Sequence, residues 1–257
     1  AAASIALLSD NTDSEKLAKY LKDEDARIRI VAIYALSLIN DEKAFTYLSE
    51  AIETEQEETV RIQLAKKITL FRNDKVEDIL IKLLDDGSIP LREAAASGIS
   101  RCGSGKYTNM LVEKVGDSDN WVGFFAAKSL AGIEDESVLK KLESFYVNVE
   151  QNVKLAIIEV LGKCKGVDAT FLLSKMEDEN EDIRKEALNS LSLMHGPIAL
   201  STAMKLYNTD SSWLVRYKAV NIILEQKPVG YDSLLRARLK DETNKYILEH
   251  IIGEIGE

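Results

Sequence analysis

From Ile28 onward the chain restates one pattern about every 30 residues, a period that marks stacked supersecondary units. The pattern is an apolar residue, Arg or Lys, two variable residues, a small or apolar residue, two more variable residues, another small or apolar residue and an aliphatic one. It starts at Ile28, Val60, Leu91, Val122, Val153, Ile183, Val215 and, in weaker form, Asn244. A unit this short cannot bury its own apolar face, so neighbours must stack to close a continuous core. The pattern runs without a break in composition, which reads as a single domain over residues 1–257 rather than two globular halves. Its repeats fall near 14–40, 41–72, 73–103, 104–133, 134–165, 166–195, 196–227 and 228–257.

Within each copy the apolar residues recur at helical spacing, as in Ile28, Ala32, Ala35, Leu36 and Ile39. These segments predict inner helices with one buried stripe. Shorter stretches between them, such as Val76-Ile79-Leu80-Leu83-Leu84 and Val138-Leu139-Leu142-Phe145, predict outer helices of about three turns. Turn signals separate the two kinds: Asp86-Gly87, Gly103-Ser104-Gly105, Gly116-Asp117, Gly166, His195-Gly196-Pro197 and Pro228-Val229-Gly230. Strand-type alternation is absent. The expected fold is all-α, an α-solenoid wound as a right-handed superhelix of about eight helical pairs.

An acid near the turn, then apolar-Arg, then small residues at helical spacing resembles the HEAT repeat, in its short phycobilisome-lyase-type form. The likeness is carried by Asp25, Ile28-Arg29, Ala32 and Ala35-Leu36, by Glu57 with Val60-Arg61, and by Asp119 with Val122, Ala126 and Leu130. Later copies show Glu150 with Val153-Lys154, Ile183-Arg184 with Ala187, Val215-Arg216 with Ala219, and Asp241 with Lys245. The resemblance implies that the second helix of each pair lines a concave face, and that turn acids and arginines of successive repeats form a ladder. Three departures stand out: Gly123 in the basic position, Leu64 and Lys67 where small residues are usual, and Asn244 at the start of the last copy. The ladder is expected to be weakest around Gly123.

Little in the sequence points to catalysis. His195 and His250 lie in different repeats with no further cluster at metal-ligand spacing, so neither a metal nor another cofactor is expected. Gly103-Ser104-Gly105-Lys106 follows a helix rather than a strand and is too short for a phosphate loop. Cys102 and Cys164 occupy core-like places near inner-helix ends and read as buried thiols in a reducing compartment. The formal charge of −10 disfavours a nucleic-acid partner and suits a protein one. Two enzymatic readings stay beside a non-catalytic scaffold or adaptor: a bilin lyase-like enzyme acting on a chromophore-bearing protein, and a HEAT-like DNA glycosylase that would use Trp121, Trp213 and Glu93 or Glu159.

A partner surface is predicted on the inner helices. Their third and seventh motif positions face away from the buried stripe and bring Ile30, Tyr34, Ile62, Lys66, Phe124, Lys128, Leu155, Tyr217, Asn221 and Tyr246 to the concave side. Aromatic and aliphatic residues in such rows, flanked by polar ones, suit a bound protein or peptide. A second candidate is an acidic edge formed by Glu53, Glu55, Glu57, Glu58, Glu177, Asp178, Glu179 and Asp182, where excess acids in the turns would attract a basic segment. The Ile251-to-Glu257 close has no polar helix after it, which predicts self-association through an uncapped last repeat. No run of apolar residues is long enough to span a membrane, and the expected location is the cytoplasm. The opening Ala1-Ala2-Ala3-Ser4 leaves a removed N-terminal anchor or signal open.

Overall fold

The computed structural model describes residues 14–102, 106–194 and 197–256. The expected turns at Gly103-Ser104-Gly105 and His195-Gly196 and the opening Ala1-to-Leu8 stretch lie outside the described residues. Where the motif alone reads as one array, the chain packs as two compact units, the first ending at Leu130 and the second beginning at Ala131. Every regular element among the described residues is helical.

In the first unit the outer helices are α1 (Ser14–Ala18), α3 (Glu42–Thr54), α5 (Lys75–Lys82) and α7 (Thr108–Lys114). They alternate with the inner helices α2 (Ala26–Ile39), α4 (Glu58–Ile68), α6 (Ile89–Cys102) and α8 (Asn120–Lys128). The second unit repeats this with outer helices α9 (Glu136–Phe145), α11 (Ala169–Ser174), α13 (Pro197–Thr209) and α15 (Tyr231–Arg238). Its inner helices are α10 (Gln151–Lys163), α12 (Glu181–Leu193), α14 (Trp213–Gln226) and α16 (Lys245–Ile255). Within each unit successive inner helices pack side by side, and the inner helices before α16 also pack on outer-helix neighbours, giving two helical layers.

Local chemistry sets the helix starts. Three residues before the first motif residue, a short polar side chain caps free N–H groups: Asp25 accepts from Arg27, Asp119 from Trp121 and Val122, Asn180 from Asp182 and Ile183, and Ser212 from Leu214. Asn244 does the same for Tyr246 and Ile247, so it is the cap of α16 and Ile247 is the first residue of the last copy. The expected start at Asn244 is thereby shifted three residues along the chain. α14 ends at Lys227, which adopts a left-handed φ of 41° directly before Pro228, a residue that cannot continue the helix.

The core follows the motif except at Ile28, expected in the buried stripe but 40% exposed in the first copy, in the first turn of α2. Val60, Leu64, Ala65 and Ile68 are buried on α4, and Val215, Ala219, Val220, Ile222 and Ile223 on α14. Each large aliphatic removed from water contributes about 1.5–3 kcal/mol. Small residues matter where helices approach closely: a Cβ on Gly162 of α10 would lie 2.6 Å from the Cα of Ser190 on α12. Cys164 is buried as expected, but Cys102 is exposed, because it is the last residue of α6. Burial still raises both thiols above their ordinary range.

Candidate protein-binding face

The turns between outer and inner helices hold the most ordered polar structure. In the first unit Arg29 pairs with Glu55 at 2.7 Å, Arg61 with Asp86 at 2.6 Å and Arg92 with Asp117 at 3.1 Å. In the second unit Arg184 pairs with Asp210 at 2.9 Å and Arg216 with Glu242 at 2.8 Å. Each acid stands five residues before the first motif residue of its own repeat. Its carboxylate also accepts the N–H two residues further on, as Asp86 does from Ser88 and Glu242 from Asn244. The guanidinium groups of Arg29, Arg92, Arg184 and Arg216 also donate to carbonyls of their own turn, as Arg92 does to Asp86. One group thus serves two repeats.

The ladder acids are therefore Glu55, Asp86, Asp117, Asp210 and Glu242, while Asp25 and Asp119 are helix caps. The Arg216 guanidinium holds Glu242 below its ordinary 4.5, and Arg61 holds Asp86 below 3.8. At Gly123 the arginine is missing, and Asn148, five residues before Val153, lacks the acid. The following rung is rebuilt from other parts. Lys154 and Lys175 lie 5.5 and 4.3 Å from the Tyr146 ring, whose hydroxyl reaches Asp178 at 3.4 Å. Burial, then the Asp178 charge, pushes the Tyr146 phenol well up.

This geometry absorbs part of the acidic edge. Glu55 belongs to the ladder, and Asp178 to the rebuilt rung and to the Asn180 N–H. Glu53 pairs with Lys82, Glu58 accepts from the Ser88 hydroxyl, and Asp182 pairs with Lys185. Glu57, Glu177 and Glu179 are exposed. A cleft of about 530 Å³ opens beside Asp178, Arg184, Lys205 and Asp210, whose charged groups include the Arg184–Asp210 rung.

On the inner helices the proposed contact residues are neither buried nor fully open. Ile30, Ile62, Phe124, Leu155, Tyr217 and Asn221 are half-buried. Tyr34 is 36% and Tyr246 53% exposed, and Lys66 is also open to solvent. Tyr246 occupies a different register from the one expected, directly before Ile247, yet still reaches solvent, because that place lies about one turn from the third position.

Each unit gathers some of these residues into an aromatic cluster. In the first, Trp121, Phe124 and Phe125 contact one another with ring centroids 5.2–6.1 Å apart, and Lys128 lies 5.9 Å from the Phe124 ring. In the second, Trp213 meets Tyr246 at 5.9 Å and Tyr217 meets His250 at 5.2 Å. Trp121 is 51% and Trp213 38% exposed. Beyond the expected residues, Leu38 and Leu70 stand exposed on α2 and just past α4, and Lys67 covers the Tyr34 ring at 4.5 Å. A single sequence register misses the two leucines, which fall one turn beyond Tyr34 and Lys66 on the same face, whereas Lys67 stands at the eighth motif position, where a small residue is usual. Among the described residues no group of three or more His, Cys, Asp or Glu could hold a metal ion, and no helix is long and apolar enough to cross a membrane.

Paired helices, a turn ladder and stacked inner helices define an α-solenoid repeat protein. The model of HEAT repeats matches residues 1–69, 76–162 and 148–223, and the chain belongs to the HEAT-repeat family. Among solved structures it is similar to the YibA protein of Escherichia coli, with 18% identity, a TM-score of 0.61, and coverage of 99% of this chain and 94% of that one. It is also similar to an engineered protein, with 16% identity, a TM-score of 0.55, and coverage of 98% and 79%. The CpcE–CpcF complex of phycocyanin lyase from Nostoc sp. PCC7120 gives 14% identity, a TM-score of 0.44, and coverage of 96% and 95%. These likenesses concern the fold alone. No curated protein sequence matches the chain.

Proposed function

We propose that this chain is a non-catalytic scaffold or adaptor that binds a protein or peptide partner through its inner-helix face. The observation that carries the reading is the pair of aromatic clusters, Trp121-Phe124-Phe125 and Trp213-Tyr246 with Tyr217-His250, left partly open to solvent on helices whose other faces are packed. Large aromatic side chains with a polar surround are what dominate binding energy at protein interfaces. The two free cysteines fit a cytoplasmic setting. Affinity capture with the wild-type chain and an Ile62→Glu/Phe124→Glu/Tyr217→Glu variant of matched helicity tests the reading. Loss of specific partners from the folded variant is expected; an unchanged set of partners would remove function from this face.

A further inference from the structure

The inner helices of the first unit have an unusual charge balance for a chain with a formal charge of −10. Once the ladder arginines are set aside, they carry Arg27, Lys66, Lys67, Arg101 and Lys128 against Glu58 and Glu93. On the same basis the second unit's inner helices carry an excess of acids, Lys154, Lys163, Lys185, Lys218 and Lys245 against Glu159, Glu181, Asp182, Glu186, Glu225, Glu249 and Glu254. They pair several of these charges internally, as Lys163 does with Glu159 and Lys185 with Asp182.

Three of the first unit's cations, Lys66, Lys67 and Arg101, lie near helix C-termini with apolar side chains at one end of the inner layer, whereas Arg27 pairs with Asp25 at the start of α2 and Lys128 lies by Phe124. Lys67 lies over the Tyr34 ring and Arg101 donates to the Thr69 hydroxyl at 3.1 Å, which ties α2, α4 and α6 into one patch. Leu38 and Leu70 are 53% and 50% exposed within it. Among the described residues Lys66, Lys67 and Arg101 form no ion pair. Their direct contacts are a ring and hydroxyls. The nearest carboxylates are Glu93, which feels the Lys66 charge, and Asp74, Glu77 and Asp78, which line a cleft with Arg101, so Lys67 is, among the described residues, the cation with no acid beside it. Cations near helix C-termini complement the helix dipole, but the dipole gives no reason for leucines in solvent beside them.

We propose that Tyr34, Leu38, Lys66, Lys67, Leu70 and Arg101 form a docking site for an acidic amphipathic segment of a protein partner. Apolar anchors of that segment sit on Tyr34, Leu38 and Leu70, and its carboxylates meet the two lysines and Arg101. This rests on the reading that the inner face binds protein, and it adds the chemistry of the partner. The acidic remainder of the chain repels such a segment and so steers it to this patch. The two leucines favour a peptide over a nucleic-acid backbone.

The probe is a fluorescein-labelled peptide of repeating Leu-Glu-Glu-Leu units, compared with the same peptide carrying Lys for Glu and with oligothymidylate. Fluorescence anisotropy is expected to show binding of the acidic peptide alone, weakening as salt rises. Lys66→Glu/Lys67→Glu should weaken it at least tenfold, and Lys66→Gln/Lys67→Gln less. Lys43→Glu/Lys75→Glu on the outer helices makes the same change in net charge and should leave it unaltered. Helicity of every variant is checked by circular dichroism. No binding of the acidic peptide, equal binding of the lysine peptide or of oligothymidylate, or a loss of thermal stability in Lys66→Gln/Lys67→Gln without a change in affinity overturns the proposal. If the aromatic-face variant loses its partners while this test fails, the scaffold reading survives and only the acidic-segment assignment falls.

Discussion

The two units solve one packing problem with the same parts and diverge where packing makes no demand. In the first, Arg29, Arg61 and Arg92 give three successive rungs of one chemistry. In the second, Arg184 and Arg216 keep that chemistry, whereas the rung before them uses Lys154, Lys175 and Tyr146 around Asp178. The inner layers differ more. One is rich in cations beside exposed leucines; the other carries more acids than cations and pairs several of them internally. A repeat therefore fixes its turn and its buried stripe, and leaves the outward side chains of the inner helix free of packing constraint.

The comparison of rungs gives the largest expected effect. Arg216→Ala leaves Glu242, whose side chain is 0% exposed, without its cation, and should cost about 3–5 kcal/mol in denaturant unfolding of the second unit. A cost below about 1 kcal/mol would mean that this rung is no stronger than a surface pair. Next is the close approach of α10 and α12. Gly162→Ala meets the Ser190 backbone and should cost about 1–3 kcal/mol. Gly98→Ala in the first unit meets side-chain atoms of Leu80 and Thr69 that can turn aside, and should cost less. Equal losses in the two glycine variants would show that helix spacing, not the yielding of neighbours, decides the cost.

Acid should erode the arginine rungs. Glu242 and Asp86 have folded values below those of the free side chains, so the folded state binds fewer protons. Their contribution is complete above the ordinary carboxylate range and lost as pH falls through the folded values. Thermal melts are expected to fall in temperature below about pH 4, and the Arg216→Ala variant should show a shallower fall. The smallest effect is expected at the rebuilt rung: Lys154→Ala removes one of two cations from the Tyr146 ring and should cost about 0.5–1 kcal/mol.

Much of this fold is legible in the sequence because the motif is a packing instruction: Val60, Leu64 and Ile68 have to be buried, and they are. The ladder is legible in kind but not in its acids. Two acids often share a turn, and only the reach of the arginine distinguishes Glu55 from Glu57 or Asp117 from Asp119. The position five residues before the motif is acidic in every copy except Asn148, and that is the available signal. The last copy reads three residues early because Asn244 stands where an asparagine can be either a first helical residue or a cap. Leu38 and Leu70 escape a count of inner-face rows because they lie one turn beyond them, and periodicity marks a face without saying how far along it a surface extends. Lys67 escapes because its motif position belongs to the buried stripe in other copies.

Each regular repeat reaches forward with an arginine and backward with an acid, so the two halves of every junction are carried on different copies. Any copy bearing both can follow any other bearing both. Duplication or deletion of a whole repeat then restores its own junctions, and an array of this kind can change length without redesign. The copy containing Asn148 and Lys154 lacks that interchangeability, because its junction depends on a tyrosine that its neighbours do not supply.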